Sequence, residues 1–165
     1  MLEGCEVTLT KRGDVEGILE LQERNQPHQG GTLSARFPHA WFEAAIAAMP
    51  VVVVRRNGRV VGYLVSSPIT AHTDVPVVQA MLSAYRGAPD AYVYGPICVG
   101  EGERGRGLAG TMFAQLRMRL PKREGILFIR RDNTASLRAH VRMGMREVAE
   151  FNHGGAQFAV LSYVG

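Results

Sequence analysis

The stretch Ile97-Cys98-Val99-Gly100-Glu101-Gly102-Glu103-Arg104-Gly105-Arg106-Gly107-Leu108-Ala109-Gly110 decides how the rest of the chain is read. An apolar strand end, Ile97 to Val99, runs into a loop carrying Gly100, Gly102, Gly105 and Gly107. Leu108, Met112, Leu116 and Leu120 then recur at helical spacing until Pro121 stops the pattern. Strand, glycine-rich turn and helix bring backbone N–H groups and the positive end of a helix dipole to one point, which suits an anion, usually a phosphate. Arg104 and Arg106 add side-chain charge there.

The surrounding charge agrees with that reading. Residues 1–100 hold 8 Lys/Arg against 9 Asp/Glu, a balance of −1, whereas residues 101–146 hold 11 against 4, a balance of +7. A positive field centred on the glycine-rich stretch attracts an anionic ligand, the competing account being a solvated basic face. No aromatic-interleaved basic patch or nucleic-acid motif is present, so nucleic acid is not an expected partner. At 165 residues, 46% apolar and 21% charged, the chain fits one globular domain over 1–165. No apolar run approaches the roughly 18 residues of a membrane span, and the N-terminal residues lack the pattern of a secretory signal. Cys5 and Cys98 are too few for a disulfide framework or a zinc site, and reduced thiols in a cytoplasmic protein are expected. His28, His39, His72 and His153 have no metal-ligand spacing; they are read as surface or loop residues, and no metal is expected.

Along the chain, Glu6–Thr10 alternates as a strand, and Asp14 stands as the N-cap of a helix reaching about Arg24. A loop over Asn25–Gly31 precedes a second helix over Ala40–Met49, ended by Pro50. Val51–Val54 and Arg59–Val65 read as a hairpin turned at Asn57-Gly58. Ser66–Val75 is loop-like, Pro76–Tyr85 a short helix, and Ala91–Val99 a strand interrupted by Gly95-Pro96. After the helix to Leu120 come a buried-type strand over Gly125–Ile129 and a helix over Asn133–Met143 with Gly144 at its C′ position. Met145–Phe151 and Gln157–Val164 are the last strands. This order predicts an α/β domain with a mixed sheet.

Two readings of the loop compete. Gly105, Gly107 and Gly110 satisfy G-x-G-x-x-G, and Asp132 lies 22 residues beyond Gly110, as in a dinucleotide-binding fold. Against this, the motif comes late, leaving 55 residues for the rest of a doubly wound sheet, and its loop is longer than that turn requires. Arg104-Gly105-Arg106-Gly107-Leu108-Ala109 also reads as R-x-x-G-x-A, and here the chain resembles the GNAT superfamily of N-acetyltransferases, whose motif Q/R-x-x-G-x-G/A follows a strand ending apolar-x-Val. Asn133 to Met145, an Asn opening a helix that ends in Gly plus an apolar residue, is similar to the family's next segment. The resemblance is specific from Val93 to Met145 and architectural elsewhere. It implies a mixed, mostly antiparallel sheet with splayed central strands flanked by helices.

The resemblance also implies roles. Ile97, Cys98 and Val99 would line the acetyl-CoA arm, and the backbone of Arg104, Gly105, Arg106, Gly107, Leu108, Ala109 and Gly110 would hold the coenzyme A pyrophosphate, the two arginines adding charge-assisted contacts. The interruption at Gly95-Pro96 would be the family's strand bulge, unless it is simply a strand end. The Val99 N–H would polarise the acetyl carbonyl and stabilise the oxyanion, a contribution of roughly 3 kcal/mol. Asn133, Ser136 and His140, spaced i, i+3, i+7, form a polar stripe beside an apolar one of Leu137 and Val141 that would face the core. That stripe would contact the cofactor arm and thiol; otherwise it is a solvated face. Many relatives carry a tyrosine general acid where His140 stands. An imidazole protonates a thiolate near neutral pH, or serves as a satisfied structural histidine. Carboxylate or histidine bases of relatives are missing, since Val93 and Gly95 hold those places, leaving water with Tyr92, Tyr94 or Asp90 as helpers.

The expected activity is transfer of an acetyl group from acetyl-CoA to a primary amine of a small molecule or peptide, by direct attack in a ternary complex. An NAD(P)-binding oxidoreductase module and a non-catalytic acyl-CoA sensor remain open. Neither membrane nor nucleic acid is an expected partner, and relatives often form homodimers. The Asn25–His39 loop, Trp41, Phe42, Tyr63 and the Ala71–Asp90 insertion are candidate walls for the acceptor.

Overall fold

A computed structural model describes residues 3–29, 31, 33 and 35–165. Gly30, Thr32 and Ser34 of the candidate acceptor loop lie outside the described residues. The elements are β1 (Cys5–Leu9), α1 (Val15–Arg24), α2 (His39–Ala48), β2 (Val51–Arg56), β3 (Arg59–Pro68), α3 (Pro76–Ala84), β4 (Tyr92–Val99), α4 (Leu108–Arg119), β5 (Glu124–Arg130), α5 (Thr134–Arg142), β6 (Arg146–His153) and β7 (Ala156–Val164). The strands make a seven-stranded sheet in the order β1-β2-β3-β4-β5-β7-β6. Neighbours β1/β2, β2/β3, β5/β7 and β6/β7 run antiparallel. The β4/β5 pair is parallel, as a strand-helix-strand crossover through α4 dictates, and its register joins Tyr92 to Gly125 and Val93 to Ile126. The mixed, mostly antiparallel α/β sheet expected from the sequence is the sheet observed.

The chain forms two compact units, one of Met1–Ser67 with Gly95–Arg119 and the other of Pro68–Tyr94 with Leu120–Gly165. In the first, α1 turns Val15, Ile18 and Leu21 inward, at the spacing of one helix face. They join Phe42 and Ala45 of α2, Val51 and Val53 of β2, Tyr63 and Val65 of β3, and Cys98 in one buried cluster. Val52 and Val54 are buried as well, because α4 also packs on β2. That double burial explains an unbroken run of valines where a half-exposed strand would alternate.

In the second unit, Val78 and Met81 of α3 pack with Ala91, Val93, Ile126 and Val160. Phe151 and Phe158 face each other across the β6/β7 ladder and stack at 5.0 Å between ring centroids. The buried Glu124 carboxylate accepts from the Tyr85 hydroxyl at 2.6 Å, the Ala88 N–H at 2.7 Å and the Ser162 hydroxyl, fastening the segment after α3 to the start of β5. Burial pushes this carboxyl up, but the hydrogen bonds outweigh it and hold the group below its ordinary 4.5. Stability from this cluster is therefore present above pH 4.5 and lost as pH falls through the folded value. Glu124→Gln replaces one accepting oxygen by an NH2, which then faces either the Ala88 N–H or the Tyr85 and Ser162 hydroxyls, and is expected to cost about 2 kcal/mol at neutral pH. Urea melts at descending pH check this: the wild type should lose stability below about pH 4.5 more steeply than the variant.

Three expectations need correction. β3 runs on to Pro68 and a short 3-10 turn covers Ile69–His72, where the sequence reads as loop from Ser66. His72 is buried rather than at the surface, and burial lowers its pKa. Val141 is 56% exposed instead of facing the core, because the buried residue of α5 is His140.

Candidate active site

The first unit carries the glycine-rich loop. Cys98 is buried and Ile97 and Val99 are half-buried as β4 ends. The Gly100 N–H donates to the Val61 carbonyl at 2.9 Å, fixing where the strand gives way to loop. A short turn over Glu101–Glu103 follows, and Arg104, Gly105, Arg106 and Gly107 are exposed. Gly105 and Gly107 both take φ of +78°, a conformation L side chains rarely adopt. The buried Leu108 side chain anchors the start of α4. The Thr111 N–H donates to the Gly107 carbonyl at 3.1 Å, which leaves the N–H groups of Leu108, Ala109 and Gly110 to be met from outside the helix. A Cβ built at Gly105, Gly107 or Gly110 meets no atom within 4 Å, so these backbones face open space. Such a cradle of glycine backbone and helix N–H groups fits a phosphate-bearing ligand.

The arginines divide their work. Arg104 donates from Nη2 to Asn25 Oδ1 at 2.6 Å and from Nε to the Val99 carbonyl at 3.3 Å. Arg106, its side chain 52% exposed, stands 3.6 Å from Glu103. Glu103 is gripped in turn by both ends of the Arg56 guanidinium, at 2.9 and 2.7 Å, which holds its carboxyl below the ordinary range. Sequence reasoning treats both arginines as ligand contacts. The structure ties Arg104 to Asn25 and leaves Arg106 the more available charge.

The second unit carries the polar stripe of α5. Asn133 Oδ1 accepts the Ser136 N–H at 3.3 Å and so serves as the helix N-cap. Ser136 and His140 meet: His140 Nδ1 lies 2.8 Å from the Ser136 carbonyl and 3.3 Å from its hydroxyl. A carbonyl only accepts, so Nδ1 carries the proton and Nε2 presents a lone pair. Nε2 lies 3.0 Å from the Tyr94 hydroxyl, which therefore donates to it. The two rings meet edge to face, with centroids 5.5 Å apart. His140 is 3% exposed, and burial lowers its pKa below 6.5, although the Ser136 carbonyl opposes the shift. At neutral pH it is a neutral imidazole. Burial raises the Tyr94 pKa, so the phenol keeps its proton. Tyr94 packs edge-on against Tyr163, whose hydroxyl is hydrogen-bonded to Tyr92.

Asn25 and Tyr94 are the partners that sequence reasoning underrates, the first read as the start of a loop and candidate acceptor wall and the second as one of three helpers. Among the described residues, no group of three His, Cys, Asp or Glu side chains is arranged to hold a metal ion, and no helix is long and apolar enough to cross a membrane.

The fold has close counterparts among solved structures. An N-acetyltransferase from Staphylococcus aureus Mu50 matches with a TM-score of 0.72 at 19% identity, over 97% of this chain and 98% of that one. The structure of yncA from Salmonella typhimurium with its cofactor acetyl-CoA matches at 0.71 and 18%, over 98% and 94%. A GNAT superfamily phosphinothricin acetyltransferase from Sinorhizobium meliloti, in complex with AcCoA, matches at 0.70 and 18%, over 98% and 88%. No curated protein matches the chain. The model of the acetyltransferase (GNAT) family matches residues 15–145, through both motif segments, and the chain belongs to that family.

Proposed function

We propose that residues 1–165 act as one domain that moves the acetyl group of acetyl-CoA to a primary amine of a small molecule or peptide, by direct attack in a ternary complex. The carrying observation is the open glycine cradle at Gly105, Gly107 and Gly110, beside the helix N–H groups of α4, in a chain of this family. Solved neighbours of the same fold hold acetyl-CoA. When bound, acetyl-CoA supplies an acyl group activated by a thiolate leaving group.

The backbone of residues 104–110 holds the pyrophosphate, with Arg106 adding a charge-assisted contact. Ile97, Cys98, Asn133 and Ser136 line the arm, and the Val99 N–H donates to the acetyl carbonyl. The next peptide, joining Val99 to Gly100, is pinned at its carbonyl by Arg104 and at its N–H by Val61, which restrains the chain just after the Val99 N–H. His140 holds and moves the proton. Its Nε2 takes a proton through the Tyr94 hydroxyl and returns it by the same route as the sulfur leaves, so both groups end as they began. Cys98 is no rival nucleophile: burial pushes its thiol up to about 12, so it stays protonated at neutral pH, in favour of direct attack.

Two measurements test the reading. Thermal unfolding should shift upward with acetyl-CoA and stay unmoved with NAD(P); stabilisation by the dinucleotide alone overturns it. Thiol release, followed over amines, amino acids, polyamines, aminoglycosides and peptide N-termini, should reveal turnover with an acceptor. Acetyl-CoA binding with silence across that panel replaces the enzyme by a sensor.

A further inference from the structure

We propose that Asn25 and Arg104 form a clasp through which acetyl-CoA at the glycine loop tightens the segment of residues 25–37, on the acceptor side; this rests on the coenzyme A reading above. Asn25 stands at the end of α1, 5% exposed. Its Nδ2 donates to the Leu21 carbonyl at 2.8 Å, its backbone carbonyl accepts the Leu33 N–H at 3.0 Å, and its Oδ1 takes the Arg104 guanidinium at 2.6 Å. One buried residue thus touches the helix, the following segment and the loop.

Ala35 and Phe37 are tied to the same end of α1. Gln22 donates to the Phe37 carbonyl and accepts the Phe37 N–H, both at 2.9 Å. Gln26 donates to the Ala35 carbonyl at 2.9 Å. Leu33, Ala35 and Phe37 are therefore held by Gln22, Asn25 and Gln26, at and just beyond the end of α1, and Asn25 alone of those three residues reaches Arg104. At its other end the Arg104 guanidinium reads the Val99 carbonyl, so its position depends on the backbone course of the loop.

A displaced loop strips the buried Asn25 oxygen of a charged donor, which costs more than breaking a neutral hydrogen bond at the surface. Loop and segment therefore favour each other's ordered state. A ligand that fixes the loop stabilises the segment, and the reverse holds by linkage. Arg104 is accordingly a positioning residue, and the pyrophosphate takes its side-chain charge from Arg106.

Hydrogen exchange with and without acetyl-CoA tests the clasp. In the wild type the ligand should slow exchange in residues 100–111 and in residues 25–37. Asn25→Ala should keep the first protection, lose the second, and weaken acetyl-CoA about 5-fold. Asn25→Asp keeps the oxygen facing Arg104 but loses the donor to the Leu21 carbonyl, so it should restore both protections at a lower melting temperature. Arg104→Ala, a change at an exposed loop position, should reproduce Asn25→Ala from the other side and covers the case in which Asn25→Ala fails to fold. Protection of the loop without the segment in the wild type overturns the clasp and leaves the coenzyme A reading standing. Arg104→Ala that abolishes acetyl-CoA binding, where Asn25→Ala weakens it about 5-fold, also overturns it, by making Arg104 a ligand contact. Absence of any protection or thermal shift takes down both.

Discussion

Replacing His140 with alanine is expected to lower kcat 10-fold or more, on the scale of a lost general acid or base, while acetyl-CoA affinity changes little. The imidazole is buried, its Nδ1 proton is fixed by the Ser136 carbonyl, and its Nε2 faces one hydroxyl, that of Tyr94. Tyr94→Phe keeps the ring and its edge-to-face packing on Tyr163 and His140 but removes the O–H, so it should lower kcat as well. If the two act in series, the double variant is little worse than the poorer single one. The pH profile gives the sign. Burial holds the His140 pKa below 6.5, and the proposed relay needs the neutral ring, so wild-type kcat should fall only on the acid side of pH 6.5. His140→Ala should lack that limb. A full kcat with an unchanged profile, accompanied only by a lower melting temperature, makes His140 a structural histidine.

The second large effect lies in the loop. Gly105 and Gly107 sit at φ of +78° with no protein atom within 4 Å of a built Cβ. Valine meets no clash there but has to leave the left-handed region or pay about 1–2 kcal/mol at each position. Relaxing the strain turns the loop peptides and swings their N–H groups away from the anion. Gly105→Val with Gly107→Val is therefore expected to raise the acetyl-CoA Kd at least about 100-fold, or roughly 3 kcal/mol. The melting temperature should move little, because these residues touch nothing in the core. Isothermal titration with acetyl-CoA decides this, and an unchanged Kd removes the loop from the pyrophosphate site.

Legibility in the sequence followed contiguity. The strand, loop and helix of residues 97–110 and the helix after Asn133 are each one unbroken stretch, so their type, order and capping could be read from spacing. The clasp joins residues 79 apart and the Tyr94–His140 pair joins residues 46 apart, and such meetings depend on strand register, which no local pattern carries. Helix periodicity placed Ser136 and His140 on one face correctly. It erred on Val141, since a helix of 9 residues that buries a histidine has no need to bury its valine. The burial of His72 is not legible because Ser66–Val75 reads as loop, whereas Ile69–His72 forms a short 3-10 turn that carries the ring inward.

The chain of Arg56, Glu103 and Arg106 has a consequence for how the loop distinguishes its ligand. Glu103 is shared between the Arg56 and Arg106 guanidinium groups, so one carboxylate offsets part of the positive charge at this turn before any anion arrives. Beside it stand a set of oriented peptide dipoles, Arg104 held on the neutral Asn25 amide, and the half-exposed Arg106. Dipoles act at contact range and reward shape, whereas net charge acts at a distance and is screened by salt. On the proposed coenzyme A reading, the loop would prefer a diphosphate of the right form over a small anion drawn by field alone, and would keep that preference at physiological ionic strength.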